Sequence, residues 1–283
     1  MLKKIAILLE MIKFEHTVFA LPFAFMGAFL AGRDLPNLAT FIWIVLAMVG
    51  ARTCAMGFNR IIDREYDRLN PRTASRALPA QSVKLSEAWL MVILAGILFF
   101  FACYNLNQLT LMLSPFALGL TLFYSLTKRF TWLCHIILGL ALAFSPLGGW
   151  VAVSGSLQGY PFYLSLGVLF WVAGFDTVYA CLDADFDAEI GLFSLPSRFG
   201  REKAFKLAVL FHVIAFLLFI LTGIVSRLAF PYYLGIAFAG VALFYQHIVV
   251  NPRDLSRIQL SFFTLNGMIS LTLFIATWLA LVI

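Results

Sequence analysis

Residues 38–67 read LATFIWIVLAMVGARTCAMGFNRIIDREYD. An apolar run long enough to cross a bilayer as a helix, about 20 residues, gives way without interruption to a polar stripe. Asn59, Asp63 and Asp67 fall four apart, so on a helix they form one oxygen-bearing row, with Arg60 and Arg64 in a second row beside it. Two carboxylates and an amide oxygen suit Mg²⁺ that keeps several waters and shares its other positions with a diphosphate. A second row lies in DTVYACLDADFD, residues 176–187, where Asp176, Asp183 and Asp187 recur at spacings of seven and four. Either row alone reads equally well as a solvated helix end. With only 14 Asp and Glu in 283 residues, two such rows, each closing an apolar span, point to carboxylates facing one another across a cavity.

Composition sets the class. Hydrophobic residues make up 62% of the chain and charged ones 12%, against roughly 25% charged in soluble domains, and the mean hydropathy is +0.95. The expected fold is all-α: an integral membrane bundle of about nine transmembrane helices forming one domain over residues 1–283. Apolar runs fall at about 16–32, 38–62, 86–104, 108–126, 132–153, 161–182, 204–225, 229–250 and 258–281. Pro22, Pro115 and Pro146 lie inside runs, where neighbouring helices can satisfy freed carbonyls. Residues 1–15, with Lys3, Lys4 and Lys13 against Ile5, Leu8, Leu9 and Ile12, read as an interfacial amphipathic segment rather than a cleaved signal peptide. Cys54, Cys103, Cys134 and Cys181 are scattered through apolar runs and imply neither a disulfide nor a zinc site.

All Lys and Arg except Arg33, Arg52 and Arg227 fall on one side of this arrangement. That excess places the amino terminus and both acidic rows in the cytoplasm. It also accounts for the net charge of +6 without nucleic acid. The chemistry then belongs to two cytoplasmic loops, about 59–85 and 176–203, where carboxylates for Mg²⁺ mix with cations for phosphate oxygens. Lys128 and Arg129, ending the fourth span in YSLTKR, add charge to the same face. Asp176, well within the sixth run, is the acid whose position points most directly to function.

These motifs resemble the UbiA superfamily of membrane prenyltransferases, nine-helix proteins that join a polyprenyl diphosphate to an acceptor. The family pattern Asn-x3-Asp-x3-Asp is met by Asn59, Asp63 and Asp67, and Asp-x3-Asp by Asp183 and Asp187. PRTASRALPA after the first motif, YSLTKR, and DTVYACLDADFDAEIGLFSLPSRFG around the second also match, so the resemblance spans essentially the whole chain. Where many relatives read Asn-Arg-Pro-Leu, this chain has Ser75-Arg76-Ala77-Leu78, which keeps the arginine. Within the superfamily the sequence is most similar to 4-hydroxybenzoate polyprenyltransferases, especially the UbiA-like branch associated with menaquinone made through futalosine.

The resemblance implies Mg²⁺-dependent transfer of a polyprenyl group to an aromatic acid, most simply 4-hydroxybenzoate, for quinone biosynthesis in a bacterial inner membrane. A naphthoate or other menaquinone precursor is the competing acceptor. It implies metal ligands at Asn59, Asp63, Asp67, Asp183 and Asp187. Arg72, Arg76, Lys128, Arg129 and Arg198 are then candidates for phosphate oxygens or an acceptor carboxylate. Tyr124 and Tyr179 would shield an allylic cation, Asp176 and Tyr179 would orient the acceptor or take its proton, and His16 would line the acceptor pocket. A secondary transporter is the distant alternative, since it would place ionisable groups at the midplane instead of one interface.

Overall fold

The computed structural model describes residues 2–12 and 19–283, so His16 lies outside the described residues. These residues form α1 (Leu2–Met11), α2 (Leu21–Gly32), α3 (Leu38–Ile62), α4 (Arg64–Leu69), α5 (Leu85–Leu106), α6 (Gln108–Thr127) and α7 (Cys134–Ser154). There follow α8 (Phe162–Ala180), α9 (Ala184–Glu189), α10 (Leu195–Phe199), α11 (Arg201–Val225), α12 (Phe230–Val249), a π-helical turn at Leu260–Leu265 and α13 (Asn266–Val282). Eight of the helices, counting the π-helical turn and α13 as one, are long and apolar enough to span a membrane. The expected first span appears as α2, whose 12 residues reach about 18 Å. Pro22 does not kink it: the helix begins at Leu21, so Pro22 sits in the first turn, where its missing N–H is not needed.

Local signals explain the helix ends. Asn37 Oδ1 accepts the Thr40 N–H at the start of α3, Asn107 Oδ1 accepts that of Thr110 at the start of α6, and Ser194 Oγ that of Ser197 in α10. Gly155, at φ +63°, closes α7 in a left-handed cap. The inner helices approach closely through small residues. A Cβ on Gly27 of α2 would collide with the Pro146 carbonyl of α7, one on Gly149 of α7 with the Ala24 carbonyl of α2, and one on Gly139 with the Leu169 carbonyl of α8. Phe23, Met26, Trp171, Phe219 and Tyr232 fill the centre of the bundle.

The outer faces carry the opposite pattern. Leu90, Ile93, Leu94, Ile97 and Phe101 on α5, and Leu210, Val213, Leu217 and Ile224 on α11, are all exposed. Apolar surface on this scale belongs in lipid, and the protein is an integral membrane protein. At one end, α1 packs on the turns between α4 and α5: Met11 and Ile12 share a small core with Leu78, Val83 and Ala88. Arg60 Nε donates to the Met11 carbonyl at 3.1 Å, so Arg60 anchors the end of α1.

Candidate active site

Both acidic rows run across a helix break. Asp63 separates α3 from α4, and Asp183 immediately precedes α9. The i+4 hydrogen bonds nevertheless continue, Asp63 N–H to the Asn59 carbonyl, Asp67 N–H to that of Asp63 and Asp187 N–H to that of Asp183. The helical spacing read from the sequence therefore survives. Both rows line one polar cavity at the end of the bundle where α3, α6 and α8 terminate. Arg72, Arg76, Tyr124, Lys128, Arg129, Asp176 and Tyr179 share its wall. Arg198 does not: it sits exposed in the last turn of α10, outside the lining.

Each of the four motif aspartates faces its own cation. Arg72 holds Asp183 through both oxygens, Nε to Oδ1 at 2.8 Å and an Nη to Oδ2, while Asn70 Nδ2 also donates to Oδ1 at 2.8 Å. Arg76 donates to Asp67 Oδ1 at 2.7 Å, Arg129 approaches Asp63 Oδ1 at 3.4 Å, and Lys128 Nζ stands 3.5 Å from Asp187 Oδ2. Asn59 Nδ2 donates to Asp63 Oδ2 at 2.9 Å, which leaves the Asn59 amide oxygen without a role in that pair. Asp67 Oδ2 and Asp187 Oδ2 are buried without a hydrogen-bond partner.

Proton affinities follow these partners. Burial pushes the Asp183 carboxyl up, but the Arg72 guanidinium outweighs it and holds the group below its ordinary value. Burial and the neighbouring Asp67 charge raise Asp63, with Lys128 and Arg129 only partly offsetting them. Asp187 is also raised, by burial first, with Lys128 opposing. Lys128 stays charged: burial lowers its proton affinity, and Asp187 with other acids more than restores it.

The polar cavity adjoins an apolar one at Asn59, Tyr124 and Ser125. The apolar cavity is walled by α2, α3, α5, α6 and α7 and reaches Leu106, Thr110 and Val151 at the opposite end of the bundle. Arg52 is the one charged residue on its wall among the described residues; it lies seven residues before Asn59, two turns back along the same helix. Tyr179 bridges the arrangement. Arg72 Cζ stands 5.6 Å from its ring centroid, and Phe262 of the π-helical turn packs on it at 4.2 Å. Sequence reasoning missed Asn70, which reads only as an Asn-Pro turn, and His135, which reads as one of four scattered histidines.

Among the described residues no three His, Cys, Asp or Glu side chains converge as a self-sufficient metal cage. The rows instead present two carboxylates each, with an amide in the first.

The UbiA prenyltransferase family model matches residues 20–279. The 4-hydroxybenzoate octaprenyltransferase of Yersinia pseudotuberculosis serotype IB (strain PB1/+) is 31% identical over 246 residues, covering 87% of this chain and 85% of its own. The apo structure of a UbiA homolog from Aeropyrum pernix K1 superposes with a TM-score of 0.86 at 36% identity, covering 93% of this chain and 96% of that one. A UbiA homolog from Archaeoglobus fulgidus, solved bound to GPP and Mg²⁺, shares the fold at 19% identity and a TM-score of 0.73, covering 98% of this chain and 100% of that one. With its motif aspartates gathered at one cavity and matches along nearly its full length, this chain belongs to the UbiA prenyltransferase family.

Proposed function

We propose that this protein transfers a polyprenyl group from polyprenyl diphosphate to an aromatic acid, 4-hydroxybenzoate, in a Mg²⁺-dependent reaction of quinone biosynthesis. The observation that carries this reading is the junction of a charged cavity, lined by both acidic rows, with an apolar cavity that extends through the bundle. The relatives' shared acceptor supports 4-hydroxybenzoate over a naphthoate.

Mg²⁺ fits the residues present. Asn59, Asp63 and Asp67 on one side and Asp183 and Asp187 on the other would hold it, and the buried Oδ2 atoms of Asp67 and Asp187, which accept no hydrogen bond, are hard donors of the required kind. Bound there, Mg²⁺ neutralises negative charge on the diphosphate leaving group. Arg72, Arg76, Lys128 and Arg129, which stand in the cavity against the acids, would bind the phosphate oxygens. The polyprenyl tail lies in the apolar cavity, which excludes water from the allylic carbon. Tyr124 and Tyr179 present ring faces to the positive charge that develops there.

Arg52 is placed to meet the acceptor carboxylate with its planar guanidinium. The acceptor's carboxylate blocks the position para to its hydroxyl, so the ortho ring carbon attacks. The new C–C bond forms from the ring's π electrons as the C–O bond breaks and its electron pair leaves with diphosphate. Asp176 then takes the ring proton, and the C–H electrons restore aromaticity.

The chain acts as one domain over residues 1–283, with loops 59–85 and 176–203 carrying the chemistry. It lies in the bacterial inner membrane with its amino terminus and both loops cytoplasmic, as the one-sided cations require.

The test is Mg²⁺-dependent pyrophosphate release from a polyprenyl diphosphate by protein in nanodiscs, with 4-hydroxybenzoate or a naphthoate added. Release that needs both metal and 4-hydroxybenzoate is the expected result. Release only with the naphthoate reassigns the acceptor, and folded protein that releases none with either acid defeats the reading.

A further inference from the structure

The mechanism above uses Asp176 and gives His135 no task. His135, the second residue of α7, is wholly buried, and both of its ring nitrogens have partners. Nδ1 lies 2.7 Å from Asp176 Oδ2, and Nε2 receives the Leu195 backbone N–H at 3.2 Å. A backbone N–H can only donate, so Nε2 accepts and carries no proton in this arrangement. The proton is then on Nδ1, which donates to Asp176; the tautomer is assigned by the hydrogen-bond network.

The donor to Nε2 is itself held in place. Leu195 opens α10, and the Phe193 N–H just before it donates to the Lys128 carbonyl at 2.7 Å. Cys134 Sγ meets the Phe193 carbonyl at 3.6 Å. The segment following the second acidic row is thus docked on the ends of α6 and α7, and it locks the imidazole that grips Asp176. The Asp176 side chain makes no other hydrogen bond among the described residues and lines the polar cavity. One oxygen is clamped and the other is left for the cavity.

We propose that His135 is a positioning residue: its neutral imidazole holds Asp176 Oδ2 so that Oδ1 faces the acceptor ring and receives its proton. The inference rests on the reading of Asp176 as the base. In the step, the proton passes from the ring carbon to Oδ1, the C–H pair returns to the ring, and His135 keeps its own proton throughout. Loss of the hydrogen-bond partners that orient metal-ligating side chains costs about 10- to 100-fold in affinity or activity, and loss of this orienting contact on Asp176 should cost activity on the same scale.

The test uses the full chain in nanodiscs, with 4-hydroxybenzoate carrying either hydrogen or deuterium at the carbons ortho to the hydroxyl. His135→Leu should lower kcat about 10- to 100-fold and leave KM for the polyprenyl diphosphate unchanged. It should also raise the deuterium isotope effect on kcat above that of the wild type, because removal of the ring proton becomes limiting. His135→Asn, whose amide can donate from near the Nδ1 position, should recover most of the activity. An unchanged isotope effect in His135→Leu, or equal losses in the two variants at equal thermal stability, overturns the proposal. If wild-type protein prenylates neither aromatic acid, the proposed function fails, and ¹⁵N-histidine NMR then decides the His135 assignment separately. One protonated nitrogen whose resonance moves in Asp176→Asn supports it; two protonated nitrogens, or a proton on Nε2, overturn it.

Discussion

The two acidic rows share an i, i+4 spacing, yet the protein holds them by different means. In the first row, Asp67 is paired within its own loop by Arg76, nine residues on, and Asp63 accepts from Asn59 of its own row and meets a cation, Arg129, only at a longer distance. In the second row, Asp183 is gripped through both oxygens by Arg72, 111 residues away in sequence, with Asn70 beside it. Asp183 is consequently held ionised below its ordinary range, whereas Asp63, buried beside Asp67, is pushed above it. A carboxylate's electrostatic state is set by what other segments bring to it, and identical spacing leaves that open.

The strongest way to break the contrast is to remove one carboxylate from each row. Asp63→Asn and Asp183→Asn should each lower prenyl transfer on the order of 10³-fold, as measured by pyrophosphate release, with helical circular dichroism unchanged. Retained turnover in either variant would show that its row is not part of the diphosphate site.

Cutting the cations should separate the rows by stability. Arg72→Met leaves Asp183 without its bidentate partner. It should cost about 2 kcal/mol, the roughly 3–5 kcal/mol of a fully buried pair reduced because Arg72 is partly exposed. Arg129→Met, breaking a longer and more exposed contact, should cost under about 1 kcal/mol. Thermal unfolding in detergent checks both, and equal losses would erase the distinction.

Since every motif acid already faces a cation, metal or diphosphate arriving alone strands one member of each pair. Mg²⁺ and inorganic pyrophosphate together should therefore bind about tenfold more tightly than either alone, a coupling near 1.4 kcal/mol readable by calorimetry. Independent binding would mean that the pairs do not exchange partners.

Acid should sharpen the contrast further. Asp183, lowered in the folded state, contributes stability that is complete above its unfolded value, near 3.9, and is lost as pH falls through its folded value. Asp63, raised, costs stability at neutral pH, and that cost is relieved as pH falls through its folded value. Along a pH series from 7 downward, Asp63→Asn should thus remove slope from the unfolding-temperature profile mainly above about pH 4 and Asp183→Asn mainly below it, while the stability lost in Asp183→Asn is greatest above about pH 4. The smallest effect belongs outside the cavity. Arg68→Met removes only the exposed pair with Glu65 and should change stability by under about 0.5 kcal/mol.

Much of this protein is legible in its sequence, because hydropathy and helical spacing are properties of neighbouring residues. The spans from α3 onward, the one-sided cations and the rows Asn59-Asp63-Asp67 and Asp183-Asp187 all follow from residues within a few turns of one another. Local signals fail where the chain must meet itself at a distance. No pattern near Arg72 points to Asp183, and nothing around His135 marks it as the partner of Asp176, 41 residues on. Those pairings depend on how closely helices pack, which glycines such as Gly27 and Gly149 set by admitting a neighbouring backbone where any side chain would collide. Sequence alone determined that this is a helical membrane protein with two acidic rows at one face. Only the tertiary structure decided which cation holds which acid, and that an apolar cavity opens behind them, because both depend on contacts between segments that hydropathy and spacing cannot register.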